Sequence, residues 1–317
     1  MTSWNIISNI FFERLQMETI ESESLFDEFL EKINIIDRSI LNVTKLPEKI
    51  YHYTNLNSLQ SILVEKSLWA TNCMFLNDKK EVLHLKPILH RVLNEFYRDE
   101  KDFAHWFFNY YNEVSNELLK FIFVISLSNK PDSLTLWSNY TNNDGYCLVF
   151  KDMLFTQKNL TINNKHVRNM VMGRNVLYDD RLKEELFKKF VEILIDYYKR
   201  HDAGLISDAD FEQVKQFAMF YLLTFALLSK DKKYEDEHEF RLITPMLTKN
   251  INEIEFRVSH DLIIPYIKLS FPIKYIEEIM IGPKRKMRIT KDSIRYFLDA
   301  KGYNDIKITK SSIPLRY

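Results

Sequence analysis

The segment Glu237-His238-Glu239-Phe240-Arg241 places two carboxylates and a guanidinium at alternate positions. In an extended chain, residues two apart face the same side, so both carboxylates are expected in one cleft with Arg241 behind them. Such a pair suits a reaction that develops positive charge at a sugar carbon, because a fixed carboxylate stabilises the cation more than its neutral precursor. The plainer alternative is a solvated charge run, since Glu235-Asp236 precede the pair directly. His52 lies between Tyr51 and Tyr53 and just before Thr54-Asn55. A neutral imidazole there can donate to a ribose hydroxyl while an aromatic neighbour packs on a ring; the alternative is a satisfied structural histidine. Trp137 and Tyr140 can form an aromatic wall for a base or nicotinamide, or simply anchor a core. Asn77-Asp78 can bind a ligand or make an Asx turn. The candidate set is therefore Glu237 and Glu239 as catalytic carboxylates, with His52, Tyr53, Thr54, Asn77, Asp78, Trp137, Tyr140 and Arg241 as binding residues.

The elements that must position these groups follow from periodicity. Residues 9–36 carry apolar residues at helical intervals among acidic ones, which predicts amphipathic helices. Ile50 to Tyr53 reads as a strand, and Thr54 or Asn55 caps a helix running to about Lys66. Leu68 to Thr71 predicts a second strand, and Phe75 to Asp78 a loop. Helical periodicity returns over Glu81–Arg98 and Phe103–Lys120. Phe121 to Leu127 is an apolar run of buried-strand type, and a turn at Asn142 to Gly145 leads into a strand over Tyr146 to Phe150. Val176 to Tyr178 is expected to be a further strand, and Asp180–Lys199 and Asp208–Ser229 are expected to be long helices. Strands are predicted again over Glu239–Thr244, Ile263–Leu269 and Ile276–Ile281, then a helix from about Thr290 to Ala300. Without regular βαβ alternation, the fold class is α+β with a central mixed or antiparallel sheet. The organisation is an N-terminal helical segment (1–46) and a single α+β domain (47–317) with helical insertions at about 80–120 and 180–230.

Composition removes several function classes. Lysine plus arginine and aspartate plus glutamate each number 44, so no whole-protein field draws the chain to nucleic acid or anionic lipid. Cys73 and Cys147 lack CxxC spacing, which argues against a zinc site or a disulfide framework. His84 and His90 make no metal pair at helical spacing, HExxH is absent, and no nucleophile-elbow or Ser-His-Asp pattern stands out, so no metal ligands are assigned. With 5 glycines among 317 residues, neither GxGxxG nor GxxxxGK[ST] occurs. The N-terminus has no signal-peptide character and no uncharged stretch reaches the ~20 residues of a membrane span, so a cytoplasmic protein without a membrane partner is expected.

Several motifs in fixed order carry a resemblance: HYT-x-L-x-x-L-x-x-I-L from His52, Phe75 with Asn77-Asp78 and Glu81, L-W-S-x-Y-x-x-x-x-G-x-C-x-x-F from Leu136, E-x-E-x-R, and I-x-x-I-x-I-G-P ending at Pro283. Over residues 49 to 285 the chain resembles a bacterial family catalogued as domain of unknown function 2971; Lys79-Lys80 depart from the Pro and Phe usual after Asn-Asp. The opening motif also looks like the first strand of ADP-ribosyltransferases. That resemblance implies an ADP-ribosyltransferase-like sheet with NAD as substrate. It implies that His52 holds the ribose, that a middle aromatic or hydroxyl residue (Trp137, Ser138 or Tyr140) lines the nicotinamide pocket, and that Glu239 stabilises the ribose cation. Glu237 would help set the acceptor, which could be nucleic acid or protein. The expected function is an NAD-dependent ADP-ribosyltransferase-like toxin or antiphage effector. The alternatives are a nucleotide or nucleic-acid hydrolase with Asp78, Glu81, Glu237 and Glu239 around a divalent cation, and a non-catalytic nucleotide-sensing module.

Overall fold

A computed structural model describes residues 25–41, 47–76, 85–141, 143–151, 160–162, 165–166, 172–245, 254–259, 261–283 and 287–314. Its elements run α1 (Leu25–Leu41), β1 (Lys49–Thr54), α2 (Leu56–Glu65), β2 (Ser67–Asn72), α3 (Leu85–Phe96), α4 (Lys101–Leu119), β3 (Ile122–Ser128), α5 (Leu134–Thr141) and β4 (Tyr146–Lys151). They continue through β5 (Thr161–Ile162), β6 (Lys165–His166), β7 (Met172–Asn175), α6 (Asp180–Asp202), α7 (Asp208–Leu227), β8 (Glu239–Pro245), β9 (Glu255–Ser259), β10 (Leu262–Ser270), β11 (Ile276–Ile281), α8 (Met287–Ala300) and β12 (Lys307–Lys310). The fold is α+β, as the lack of βαβ alternation predicts.

Local chemistry sets several boundaries. Asn55 Oδ1 accepts the Ser58 amide at 2.9 Å and opens α2, and Lys66 closes it in the left-handed region with φ 53°. Asp179 and Ser207 cap α6 and α7 in the same way.

The strands form one mixed sheet in the order β12-β11-β4-β1-β3-β2-β10-β5-β6; β8 lies against β3 and carries β7, and β9 lies against β10. β11 and β12 are parallel, while β1, β3, β4 and β8 are joined by antiparallel ladders. The sheet separates two cores. Ile122, Val124 and Ile243 pack with α1, α3, α4, α6 and α7, whereas Phe123, Ile125, Leu127, Phe240 and Leu242 pack with α2 and α8 on the other face. The period of two therefore puts Ser126, Ser128, Glu239 and Arg241 on the side of the helical layer.

The central strands do not pair evenly. β3 bonds β8 along its length, from Ile122↔Pro245 to Ser128↔Glu239. On its other side it meets β2 only at Phe123 and Val124, and β1 only at Ser128 opposite Tyr51. Between those points β1 and β2 diverge, and Ile125, Ser126 and Leu127 lie at the floor of a fork.

Two expected placements are corrected. The strand expected at Val176–Tyr178 lies four residues earlier, at Met172–Asn175, where it can pair with β8; Leu177 contributes a single bridge to Ser229. The Leu136–Tyr140 stretch, to which periodicity assigned no element, is part of a helix, α5. Glu237 is not on a strand but ends a 3-10 turn, Lys232–Glu237. β9 and β12 were not legible from periodicity: β9 is a short edge strand with Phe256 and Val258 turned to solvent. Among the described residues no helix is long and apolar enough to cross a membrane.

Candidate functional site

The β3–β8 ladder is the frame of the site: it sets Ser126 opposite Arg241 and Ser128 opposite Glu239. Just before β8, His238 adopts φ 43° and reverses the chain out of the 3-10 turn. Ser128 Oγ donates to the Glu237 carbonyl at 2.7 Å and holds that reversal in place. The charge run is thereby divided. Glu235 and Asp236 are exposed, whereas Glu237 and Glu239 are buried. The two carboxylates do converge, through the left-handed turn rather than through strand alternation.

A lysine absent from the sequence-based candidates lies between them. Lys230 Nζ donates to Glu237 at 2.7 Å and to Glu239 at 3.1 Å, and lies 4.7 Å from the centroid of the Tyr234 ring. Lys183, buried at the start of α6, donates to the Lys230 carbonyl at 2.7 Å and fixes the backbone there. Arg241, 1% exposed, grips Glu239 in bidentate fashion with Nε at 2.8 Å and Nη2 at 2.9 Å, while Nη1 donates to the Leu227 carbonyl. Burial works against the Glu239 charge, but Arg241 and Lys230 outweigh it and hold the carboxyl below its ordinary range. Burial likewise opposes the Lys230 charge, and the carboxylates of Glu239 and Glu237 overcome it to raise the ammonium well above its usual value. Two cations thus balance two carboxylates in a buried quartet.

Ser126 extends the quartet toward β1. Its hydroxyl donates to Glu239, and its carbonyl, at the floor of the fork, accepts from the His52 ring. Burial pushes the His52 pKa down to about 4, so the ring is neutral. With one ring nitrogen committed to the Ser126 carbonyl, the other is left as an acceptor, the reverse of the donor role expected. Tyr140, on α5, sits beside Glu237; burial and that carboxylate raise its pKa. The Tyr178 hydroxyl accepts the Glu239 amide at 3.0 Å, and burial pushes its pKa up to about 12.

These groups open on a cavity of about 520 Å³ that fills the fork, within the size range of small-molecule sites. Its walls come from β1 (Tyr51 to Thr54), α2 (Ser58, Ser61, Ile62), β2 (Leu68, Trp69, Thr71), β3 (Val124 to Ser128), Tyr140 and the carboxylate cluster. Of the sequence candidates, His52, Tyr53, Thr54, Tyr140, Glu237 and Glu239 line it, with Arg241 behind.

Two aromatic candidates serve packing, Tyr53 at the edge of the cavity and Trp137 away from it. Tyr53 is buried, and its hydroxyl donates to the Lys130 carbonyl at 2.9 Å and accepts the Ser133 amide at 3.0 Å. Trp137 is 0% exposed, stands edge-on to Tyr53, and donates its indole N–H to Asp132 at 2.9 Å. It cannot stack on a ligand. Asn77, Asp78 and Glu81 lie outside the described residues. Among the described residues no group of three or more His, Cys, Asp or Glu could hold a metal ion, and the space between Glu237 and Glu239 is taken by the Lys230 ammonium.

Lys230, Lys183, Tyr178, Ser126 and Ser128 escaped sequence reasoning. The two serines had a visible signal, hydroxyls at period two closing an apolar strand (Ile122-Phe123-Val124-Ile125-Ser126-Leu127-Ser128). Lys230 had none beyond its place at the end of an apolar helix.

Fold and site together define an α+β protein with a ligand-sized cavity in a forked sheet, bordered by a buried, charge-balanced cluster. Residues 136–242, which carry Tyr140, Lys230, Glu237, Glu239 and Arg241, match the model of the family described as Protein of unknown function (DUF2971). No curated protein and no solved structure matches the chain.

Proposed function

We propose that this chain is an NAD-dependent ADP-ribosyltransferase-like protein that cleaves the nicotinamide–ribose bond and transfers to a nucleic-acid or protein acceptor. The observation that carries the reading is the line His52–Ser126–Glu239. These residues come from laterally adjacent strands, β1, β3 and β8, and are joined by hydrogen bonds at one cavity. The order strand histidine, middle hydroxyl, late-strand glutamate is the one the sequence resemblance implies, with Ser126 in the middle place in preference to Trp137, Ser138 or Tyr140. In this reading the neutral His52 orients a ribose hydroxyl through its acceptor nitrogen. Ser126 and Arg241 hold the Glu239 carboxylate fixed and ionised beside the sugar carbon where charge develops. Glu237 and Tyr140, at the cavity wall, are the groups available to an acceptor. The toxin or antiphage-effector role rests on the resemblance alone.

Ser126→Ala tests this most cleanly, because Ser126 is exposed to the cavity and no core contact is lost. Nicotinamide release by the variant is expected to fall roughly tenfold or more, the scale of a hydrogen bond to a charged group. Absence of both NAD binding and nicotinamide release in the wild type, alone or with cell lysate, overturns the proposal.

One observation favours a non-catalytic nucleotide-binding module: both oxygens of Glu239 are already engaged, by Arg241 and Lys230. NAD binding without nicotinamide release, unaltered in Glu237→Gln, would select that reading.

A further inference from the structure

The β2 side of the fork carries a cation of a different kind from those at the carboxylate cluster. Arg257, on the edge strand β9, crosses β10 and lines the cavity. Its Nη2 donates to Thr71 Oγ1 at 3.0 Å. The guanidinium carbon lies 5.8 Å from the centroid of the Trp69 ring, which is itself stacked on Tyr266 at 4.3 Å and 23°. One aromatic face, backed by a second ring, and one hydroxyl thus position it.

Among the described residues no carboxylate answers it. Its one hydrogen bond among them is to Thr71, and its Nε is buried without an acceptor. Glu255, its neighbour on the same face of β9, is taken by the Tyr266 hydroxyl at 2.9 Å and by Lys268 at 3.1 Å. A partly buried guanidinium without a counter-charge is costly unless something else supplies one. Lys230 and Arg241, by contrast, are fully answered by Glu237 and Glu239. The cavity is therefore polarised: an anionic group of a ligand meets a charge-balanced cluster on the β8 side and, on the β2 side, a cation without a counter-charge among the described residues.

We propose that Arg257, with Thr71, anchors the phosphoryl group of a nucleotide whose sugar end reaches toward Ser126 and the carboxylate cluster. The inference rests on the reading of this cavity as a nucleotide site and deepens it; it does not require that the nucleotide be cleaved. The planar fork of a guanidinium matches the paired oxygens of a phosphate in a way that an ammonium does not. The cavity volume and its aromatic wall suit a ligand of nucleotide size.

The test is calorimetric titration of the full chain with ADP and with adenosine, which differ only in the anionic group. The wild type is expected to bind ADP at least about tenfold more tightly than adenosine. Arg257→Ala is expected to lose that difference, weakening ADP roughly ten- to hundredfold and leaving adenosine unchanged. Arg257→Lys keeps the charge without the planar fork and is expected to fall between the two, which preserves the test if the alanine variant does not fold. Equal affinity of the wild type for ADP and adenosine, failure of the wild type to bind ADP, or unaltered ADP binding in both variants would overturn the proposal. Nicotinamide release from NAD, followed in the same preparations, separates the outcomes: its absence alongside an Arg257-dependent preference for ADP removes the transferase reading and leaves the phosphate anchor.

Discussion

At the scale of single residues, the site is governed by what each buried charge is paired with. Glu239→Gln leaves Arg241 facing a neutral amide in a buried setting and is expected to cost about 3–5 kcal/mol, measured by urea denaturation. Loss of activity in that variant would therefore conflate chemistry with folding. Ser126→Ala, which removes a hydroxyl facing the cavity, should cost no more than about 1–2 kcal/mol and is the sharper probe. His52 predicts a pH effect whose sign follows from its depressed pKa, about 4 against an ordinary 6.5. Between those values the unfolded chain binds a proton that the folded one refuses. Stability should be full above about pH 6.5 and decline as pH falls toward 4, by an amount on the order of 3 kcal/mol. His52→Gln should flatten that part of the stability profile; an unchanged profile would mean that burial does not hold the ring neutral.

At the scale of elements, a few local devices hold the cavity walls in register. The Asn55 cap starts α2, whose Ser58 and Ser61 line the cavity. Asn55→Ala should lower stability by about 1 kcal/mol, read as a drop in denaturation midpoint. A tighter constraint lies where α5, β1 and β4 meet. A Cβ built on Gly145 would stand 2.3 Å from Thr141 Cβ and 2.6 Å from the Thr54 carbonyl oxygen. The Gly145 amide region has no positive φ, so the demand is for space and not for backbone freedom. Gly145→Ala should cost about 1–3 kcal/mol or more and displace Thr54 at the cavity wall, visible as weakened ligand binding together with a lowered midpoint. Full stability in that variant would show that the close approach is not maintained in solution.

At the scale of the whole molecule, the helices outside the sheet are structural partners of the site. α1, α3, α4, α6 and α7 share a core with β3 and β8, and Lys183, on α6, holds the Lys230 backbone. α1 belongs to that core: Phe29 is 0% exposed and stands edge-on to Tyr197 at 5.0 Å and to Phe217 at 5.9 Å. Phe29→Ala should destabilise the protein by about 3–5 kcal/mol, measured by chemical denaturation. A cost near zero would instead mark α1 as a detachable arm.

What the sequence determined by itself was local. Alternation and helical period located β1, β2, β3, β4, β8, β10 and β11 and most helices, because propensity and amphipathic period act within a few residues. Residue chemistry singled out His52, Tyr140, Glu237, Glu239 and Arg241, all of which border the cavity or support it. Only the tertiary structure decided which half of the charge run is buried, because that depends on the β3–β8 ladder and on Ser128, more than a hundred residues away in sequence. It decided as well that Trp137 is a packing residue and that Lys230, Ser126 and Arg257 belong to the cavity. Their placement comes from long-range strand pairing and from the fork between β1 and β2, and no short-range pattern encodes either.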